Sequence, residues 1–461
     1  MTQDEALNIL KTGANVFLTG EPGAGKTHTV NAYVDYLRSR EVEPAITAST
    51  GIAATHIGGM TIHSWSGIGI KNKLDKYDLD KIASSEYISK RVRKNKVLII
   101  DEISMLAPGT LDMVDLVCRE IKQNGEAFGG MQIVLVGDFF QLPPVVRRDD
   151  SIQKQNSLLS SVAKSAGNFA YESGTWERAR PVICYLSEQH RQDDADFLDV
   201  LSGIRSNDVS SKHIEHIHTR QIDLDDMPEN TTKLFSHNVD VDRVNTAELS
   251  KLDTESRFFE MVGTGSDKLV ETLKKGCLSP DKLELKVGAV VMCTKNNPKE
   301  RFANGTLGMV IDFEDFSGQP IIKTRNGRSI TINPMDWAVE ENGKIRAQIS
   351  QVPLRLAWAI TVHKSQGMSM DAAIMDLSQV FEYGQGYVAL SRVRRLSGLY
   401  LLGLNEQALK VHPEILKIDV EMKQNSKEAE KVFGKLSAKE IKKMHDDFIL
   451  ACGGKGKKAK R

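Results

Sequence analysis

Cysteine is scarce in this chain, and the few that occur are scattered. Cys118, Cys184, Cys277, Cys293 and Cys452 form no CxxC pair. An odd number at irregular spacing argues against a disulfide framework and against zinc; it fits reduced thiols in a cytosol-like compartment. Long apolar runs are also missing. No stretch reaches 18 apolar residues, so no membrane-spanning helix is expected. The opening MTQDEALNIL has no basic segment ahead of a long apolar core and is not rich in Arg. No secretory or organelle signal is therefore expected. Net charge is absent, with 61 basic and 61 acidic residues. That balance gives no bulk electrostatic case for a polyanionic partner, although a local basic groove would suffice for one. No fixed-period repeat is present. His213, His216 and His218 in KHIEHIH have a spacing that fits no metal site, and they read as a solvated helix face.

What is present is an ordinary globular composition. A length of 461 residues exceeds one core, so two to four domains are expected. From Ala14 to about Arg180, short strand-like runs alternate with helical patterns: NVFLTG, PAITAST, KVLIID and QIVLVGD. Continuous apolar runs of this length mean burial on both faces, hence a parallel sheet flanked by helices. VICYLSEQHR and TKLFSHN open a second such series, which AWAITVHKSQG and GLYLLGL close. Between them, about Leu285 to Ile349, short strands with glycine-rich turns suggest an inserted β-barrel, and Asn326-Gly327 is a hairpin signal. After about Leu404 the chain reads as helical and charged. Its basic end, GGKGKKAKR, reads as a solvated tail rather than a specific nucleic-acid contact.

One segment carries chemistry by itself. GEPGAGKT, Gly20 to Thr27, follows a strand and precedes the helical HTVNAYVDYLRSR. It matches the phosphate-loop pattern in its required setting. Glycines let backbone N–H groups turn inward at a helix N-terminus and cradle an anion. Lys26 then reaches the β- and γ-phosphates of ATP, and the Thr27 hydroxyl can ligate Mg²⁺. Gly20, Pro22, Gly23, Ala24, Gly25 and His28 complete the expected ATP-contacting set. VLIIDEISM ends a buried strand on two acids. Alone this is also how a helix N-cap looks. Beside a phosphate loop, Asp101 is placed to hold Mg²⁺ through water and Glu102 to polarise the attacking water.

A second segment, IVLVGDFFQLPPV, ends a buried strand on a polar, rigid elbow. If this strand lies in the sheet of Asp101, its end joins the ligand-binding edge. Gln141 then projects toward the γ-phosphate, where an amide can bond a phosphate oxygen or the attacking water. Pro143 and Pro144 stiffen the exit. A surface turn with unremarkable polar residues is the bland alternative.

At this point the chain resembles the Pif1 family of superfamily 1B DNA helicases. GEPGAGKT, ASTGIAATHIGGMTIHSWSGIG, DEISML and FGGMQIVLVGDFFQLPPV look like its motifs I, Ia, II and III. REIKQNGEAFGGMQIVLVGD resembles the signature segment that separates this family from other superfamily 1 helicases, among which RecD-like and Dda-like helicases are close relatives with the same core. LSEQHRQDDADFLDVLSGIR, PLRLAWAITVHKSQGMSMDAAIMDL and GYVALSRVRRLSGLYLL are similar to motifs IV, V and VI. The similarity runs from about Gln3 to Leu404. It implies an α/β fold of two RecA-like parallel-sheet P-loop domains, a small wedge element and an inserted SH3-like β-barrel. The corresponding boundaries are about 1–180 for the first domain with the wedge within 52–75, 181–284 and 350–404 for the second, 285–349 for the barrel, and 405–461 for a helical extension. The resemblance also implies ATP hydrolysis with Mg²⁺, 5′→3′ movement on single-stranded DNA, and unwinding of duplexes, forks and G-quadruplexes in DNA repair, replication, recombination or telomere maintenance.

Residue roles follow from the same resemblance. Gln3 lies where the family has its adenine-reading Gln. Arg191 in QHRQ and Arg392 in ALSRV match arginines that reach the ATP phosphates from the second domain, where guanidiniums neutralise charge on the γ-phosphoryl oxygens. For either arginine alone, a surface salt bridge would be the simpler reading.

A sequence-independent translocase grips backbone phosphates and stacks on bases. Thr50, His63 and Trp65 offer such contacts in the first domain, and Thr361, His363 and Lys364 in the second. Simple packing explains Trp65 equally well. Gln366 and Gly367 link the second grip to the nucleotide. An ATP-switched single-stranded DNA clamp without processive unwinding, and an RNA helicase, are the competing readings. A monomer and a DNA-induced dimer both stay open. With no signal or membrane segment in view, a cytoplasmic, nucleoid-associated location in a bacterium or phage is expected.

Overall fold

Short apolar runs become strands buried on both faces, and the segments between them become helices. The computed structural model describes residues 1–57, 59–69, 71–144, 169–188, 194–228, 231–235, 238–295, 297, 299–302, 304–324, 327–341, 344–362, 365 and 369–455. The chain divides into two units. One is Met1–Phe139 with Pro143–Arg191 and Pro413–Arg461; the other is Phe140–Leu142 with Gln192–His412.

In the first unit, α1 (Gln3–Lys11) starts at a capping box made by Thr2 and Glu5. β1 (Val16–Gly20) passes through the glycine loop into α2 (Lys26–Arg38). β2 (Ala45–Ala48), α3 (Gly51–His56), β3 (Met60–Thr61) and α4 (Ile62–Ser66) follow. Then come α5 (Lys76–Ala83), α6 (Glu86–Lys94), β4 (Val97–Asp101) and α7 (Pro108–Lys122). β5 (Gln132–Val136), α8 (Gly174–Ala179) and β6 (Val182–Leu186) complete the series. The strands form one sheet in the order β3-β2-β4-β5-β1-β6, and every pairing is parallel. All carboxyl ends therefore face one edge, the edge where such sheets bind ligands.

Two sequence expectations change here. VICYL was expected to open the second domain, with the boundary at 180. It is instead β6, paired with β1 in the register Val16↔Val182. Composition marks a run as a buried strand; it does not say which sheet the strand joins. The expected wedge, about 52–75, contributes β3 to this same sheet.

The second unit contains α9 (Ala195–Arg205), α10 (Ser211–His218), β7 (Lys233–Phe235) and α11 (Asn238–Ser250). An antiparallel insert follows: β8 (Arg257–Glu260), β9 (Val262–Gly265), α12 (Asp267–Gly276), β10 (Lys282–Leu285), β11 (Val290–Cys293) and β12 (Leu307–Phe313). It continues through β13 (Pro320–Thr324), β14 (Ser329–Thr331), β15 (Met335–Glu341), β16 (Lys344–Gln351) and β17 (Leu354–Leu356). The chain then returns to β18 (Ala359–Thr361), β19 (Ala373–Leu377), α13 (Gln385–Leu390) and β20 (Leu399–Leu404). The order β18-β7-β19-β20 makes a second parallel sheet.

The insert is wider than the expected 285–349. Its five-stranded sheet, β14-β13-β12-β11-β17, reaches Leu356, and β8, β9 and β10 pair within it or beside it. Val291, Cys293, Val310, Ile322 and Leu354 fill its own core. Gly327 takes φ 81 in the β13–β14 hairpin; its neighbour Asn326 lies outside the described residues. On α10 only part of the histidine expectation holds. His218 is exposed, but His213 is buried, its Nδ1 accepting from Ser210 N–H at 3.1 Å and its Nε2 lying 3.2 Å from Asp199.

The last helices, α14 (Pro413–Gly434) and α15 (Ala438–Ala451), belong to the first unit. Ser426 Oγ accepts from Tyr185 N–H at 3.1 Å, and Asp419 accepts from the Tyr185 hydroxyl at 3.0 Å. Ile449 is fully buried in the core of β1, α1 and α2. Gly13 takes φ +87 where a Cβ would sit 2.2 Å from the Phe448 ring, so this glycine permits the docking of α15. What read as an extension is part of the first core.

Candidate active site

The phosphate loop is shaped by its glycines. Gly20, Gly23 and Gly25 all take positive φ, at 148°, 93° and 89°. Gly25 is the left-handed N-cap of α2, so the loop's amides converge on the N-terminus of a helix of 13 residues. Pro22 and Ala24 are buried beneath the loop, whereas Thr27 and His28 are exposed. Lys26 Nζ donates to the carbonyls of Gly20 and Glu21 at 2.8 and 3.1 Å. This fastens the ammonium across the loop it serves.

Gln3 arrives at this loop from α1. Its Nε2 lies 3.4 Å from Ala24 O, and its Oε1 is 2.8 Å from His28 Nδ1. A Cβ on Gly25 would fall 2.2 Å from Gln3 Nε2, so the amide rests directly on the loop. Glu188, which sequence reasoning missed, accepts from Gln3 N–H at 2.9 Å and holds the start of α1 beside the end of β6.

The paired acids close β4. Asp101 Oδ1 accepts from Glu102 N–H at 2.9 Å. Burial of its carboxyl raises the pKa to about 6, opposed by the Glu102 N–H and by the Lys26 charge. Glu102 takes a left-handed φ of 53, uncommon for a residue with a Cβ. Ser49 fixes this turn, with its N–H bonded to Asp101 O at 3.1 Å and its hydroxyl to Glu102 O at 2.7 Å. Ser49 was not foreseen, and nothing in its local sequence distinguishes it. The site fits Mg²⁺: an exposed hydroxyl at Thr27 and a desolvated carboxyl that is costly without a cation nearby.

The elbow after β5 is described as far as Pro144. Gly137 N–H donates to Leu18 O at 3.2 Å, and a Cβ there would press on Ile103 at 3.0 Å. Phe139 is buried among Phe17, Trp176, Phe169 and Tyr171, with ring centroids 5.0–6.1 Å away. The strand thus ends on an aromatic anchor. Gln141 is nearly buried, 7% exposed, in the segment Phe140–Leu142 of the second unit.

Arg392 differs from its expected posture. It is 1% exposed and is the largest fully buried side chain among the described residues. Its Nε donates to Val388 O at 2.8 Å, Nη1 to Ser365 O at 3.3 Å and Nη2 to Ser391 Oγ at 2.8 Å. Thr361 is buried at the end of β18. Arg191, His363, Lys364, Gln366 and Gly367 lie outside the described residues.

Of the nucleic-acid candidates in the first unit, Thr50 opens α3 at the carboxyl edge and its hydroxyl accepts from Ala53 N–H at 3.2 Å. His63 is half-buried, and burial lowers its pKa, so the neutral ring is favoured. Trp65 is corrected: at 2% exposed its ring is packed inside and is not presented for stacking. Arg91 on α6, also missed, donates to the carbonyls of Ser64 and Trp65 and holds α4 in place.

A phosphate loop at a helix N-terminus, with a lysine across it and two acids ending a nearby parallel strand, defines a P-loop nucleoside triphosphatase. Comparison with known proteins narrows this. Residues 3–214 match the PIF1-like helicase family, and residues 268–313 match the DNA helicase Pif1 2B domain. The chain is 42% identical over 517 residues to the ATP-dependent DNA helicase Pif1 of Psychrobacter sp. (strain PRwf-1), covering 100% of this chain and 76% of the relative. It is 35% identical to that of Bdellovibrio bacteriovorus, with 90% of each covered. Among solved structures it is similar to Bacteroides sp. Pif1 in complex with ADP-AlF4, at 31% identity and TM-score 0.78, covering 92% of this chain and 96% of that one. Bacteroides Pif1 bound to ssDNA matches at TM-score 0.64, 31% identity, 93% of this chain and 97% of that one. The chain belongs to the PIF1-like helicase family. Its two parallel-sheet cores are the RecA-like pair that the sequence resemblance implied.

Proposed function

We propose that the chain is an ATP-driven DNA helicase that moves 5′→3′ on single-stranded DNA and opens duplexes and forks, with G-quadruplexes as further substrates. The observation that carries this reading is the convergence of Gln3, Lys26, Asp101 and Glu102 on one sheet edge. Lys26 draws the β- and γ-phosphates onto the loop, and the Gln3 amide takes the adenine edge. Glu102 orients and deprotonates the attacking water. Thr27 and Asp101, the latter through water, would hold Mg²⁺, which when bound neutralises charge on the phosphate oxygens. Arg191 and Arg392 neutralise γ-phosphoryl charge, which requires Arg392 to exchange its present partners Val388 and Ser365 for phosphate oxygens. Gln141 reports the γ-phosphate to the rest of the chain, coupling hydrolysis to the DNA grip at Thr50, His63 and Thr361, with His363 and Lys364.

Support for the DNA partner comes from similar structures, since Bacteroides Pif1 is described bound to ssDNA and another similar structure is described as DNA unwinding at forked dsDNA by two coordinating Pif1 helicases. A monomer that pairs on DNA, in the cytoplasm and on the nucleoid, fits this reading. The test is strand separation with ATP and Mg²⁺ on duplexes carrying a 5′ or a 3′ single-stranded tail. Unwinding of only the 5′-tailed duplex is expected. Unwinding of only the 3′-tailed one would reverse the polarity, and DNA-stimulated turnover without any unwinding would favour an ATP-switched clamp.

A further inference from the structure

Arg205 closes α9 at the end of LSGIR, and no role has been assigned to it above. It is a charged side chain only 4% exposed. Its guanidinium carbon lies 4.0 Å from the centroid of the Phe140 ring, and its Nη1 donates to the Tyr387 hydroxyl at 3.1 Å. Phe140 immediately precedes Gln141. Tyr387 lies on α13, at whose end Arg392 donates to Val388 O. One buried guanidinium therefore touches both the elbow that carries Gln141 and the helix that leads to Arg392.

A second, independent contact joins the same two segments. Gly384 is the left-handed N-cap of α13, with φ 79. A Cβ at this position would stand 2.5 Å from Phe140 O and 3.2 Å from Gln141 O. The backbone of the elbow thus runs directly over the start of α13, at a distance only glycine allows. If packing alone were required, an apolar side chain would fill the place of Arg205 without the desolvation cost of a buried charge. A planar cation that stacks on one ring and bonds the hydroxyl of another fixes two partners at once.

We propose that Arg205 is a positioning residue for ATP hydrolysis, clamping the Gln141 elbow to α13 so that Gln141 and Arg392 move as one block. The proposal rests on the reading of Gln141 and Arg392 as nucleotide-sensing residues. In its terms the aromatic doublet after Asp138 divides its work. Phe139 packs against Phe17 at the end of β5, and Phe140 is the ring that the Arg205 guanidinium covers.

The test is a set of double-mutant cycles in the full chain, read as kcat and KM for ATP with saturating poly-dT. Arg205→Met is expected to lower DNA-stimulated kcat about tenfold with KM changed by less than about twofold, and Arg205→Lys to recover part of the loss. Tyr387→Phe, which removes one hydroxyl, is expected to lower kcat about threefold. Neither change is expected to lower kcat further in a Gln141→Ala background, because a residue acting through Gln141 has nothing left to position. Losses that multiply with Gln141→Ala would overturn the proposal, as would an unchanged kcat in the single variants. If Arg205→Met does not fold, Tyr387→Phe decides by the same criterion. Full stimulation in Gln141→Ala alone would remove the reading on which the clamp rests, a result separate from multiplying losses.

Discussion

Asp101 sits where its charge is disfavoured. Its pKa is near 6 in the fold, against 3.8 for an ordinary Asp. The folded state therefore holds the proton more tightly than the unfolded chain does. Stability from this group is present below about pH 4, falls as pH rises through 6, and stays lowered at neutral pH. Asp101→Asn removes that cost. The variant is expected to be more stable than the parent at pH 7.5 by on the order of 1–3 kcal/mol, with the difference shrinking toward pH 4. Urea melts at the two pH values check this, and ATP turnover should be lost in the same variant. Lys26→Ala should also abolish turnover, because the ammonium spanning the loop is the fixed cation for the β- and γ-phosphates; near-normal ATPase would sink the phosphate-loop assignment.

At the scale of elements, legibility followed periodicity. β1, β2, β4 and β5 were readable because each is a short apolar run ended by Gly, Thr or Asp, and the phosphate loop because its spacing is tied to a mechanism. The membership of β6 was not readable, nor were β8, β9 and β10, which are short and partly exposed. The residues missed, Ser49, Glu188, Arg91 and Arg205, act through contacts 26 to 185 residues away in sequence, which no local pattern encodes. The wider insert has a practical consequence. Deleting 285–349 would strip β9 and β17 of their partners and expose unpaired edges. That variant is expected to aggregate. Replacing about 254–357 with a short linker is expected to leave ATP binding intact and to weaken unwinding, as judged by nucleotide titration and the tailed-duplex assay. In the first unit, Ile449→Ala removes a fully buried side chain from the core shared by α15, α1 and α2, and should lower stability by about 2–5 kcal/mol in chemical denaturation.

At the scale of the whole molecule, the first unit is discontinuous in sequence. Its core is completed by helices more than two hundred residues beyond the last strand of its sheet. A chain stopped at residue 412 should therefore fail to bind nucleotide, although it contains every residue of the phosphate loop. Circular dichroism and a fluorescent ATP analogue would show whether it does.

During synthesis this arrangement reverses the usual order, in which the domain made first folds first. The strands carrying the phosphate loop leave the ribosome early but lack the hydrophobic lid that α14 and α15 provide. The second unit, apart from the three residues of the elbow, is made as one unbroken stretch and has its partners in hand sooner. An incomplete translation product thus carries the sequence of an ATPase without a stable nucleotide site, and is left to the cell's proteases before it can turn over ATP on DNA.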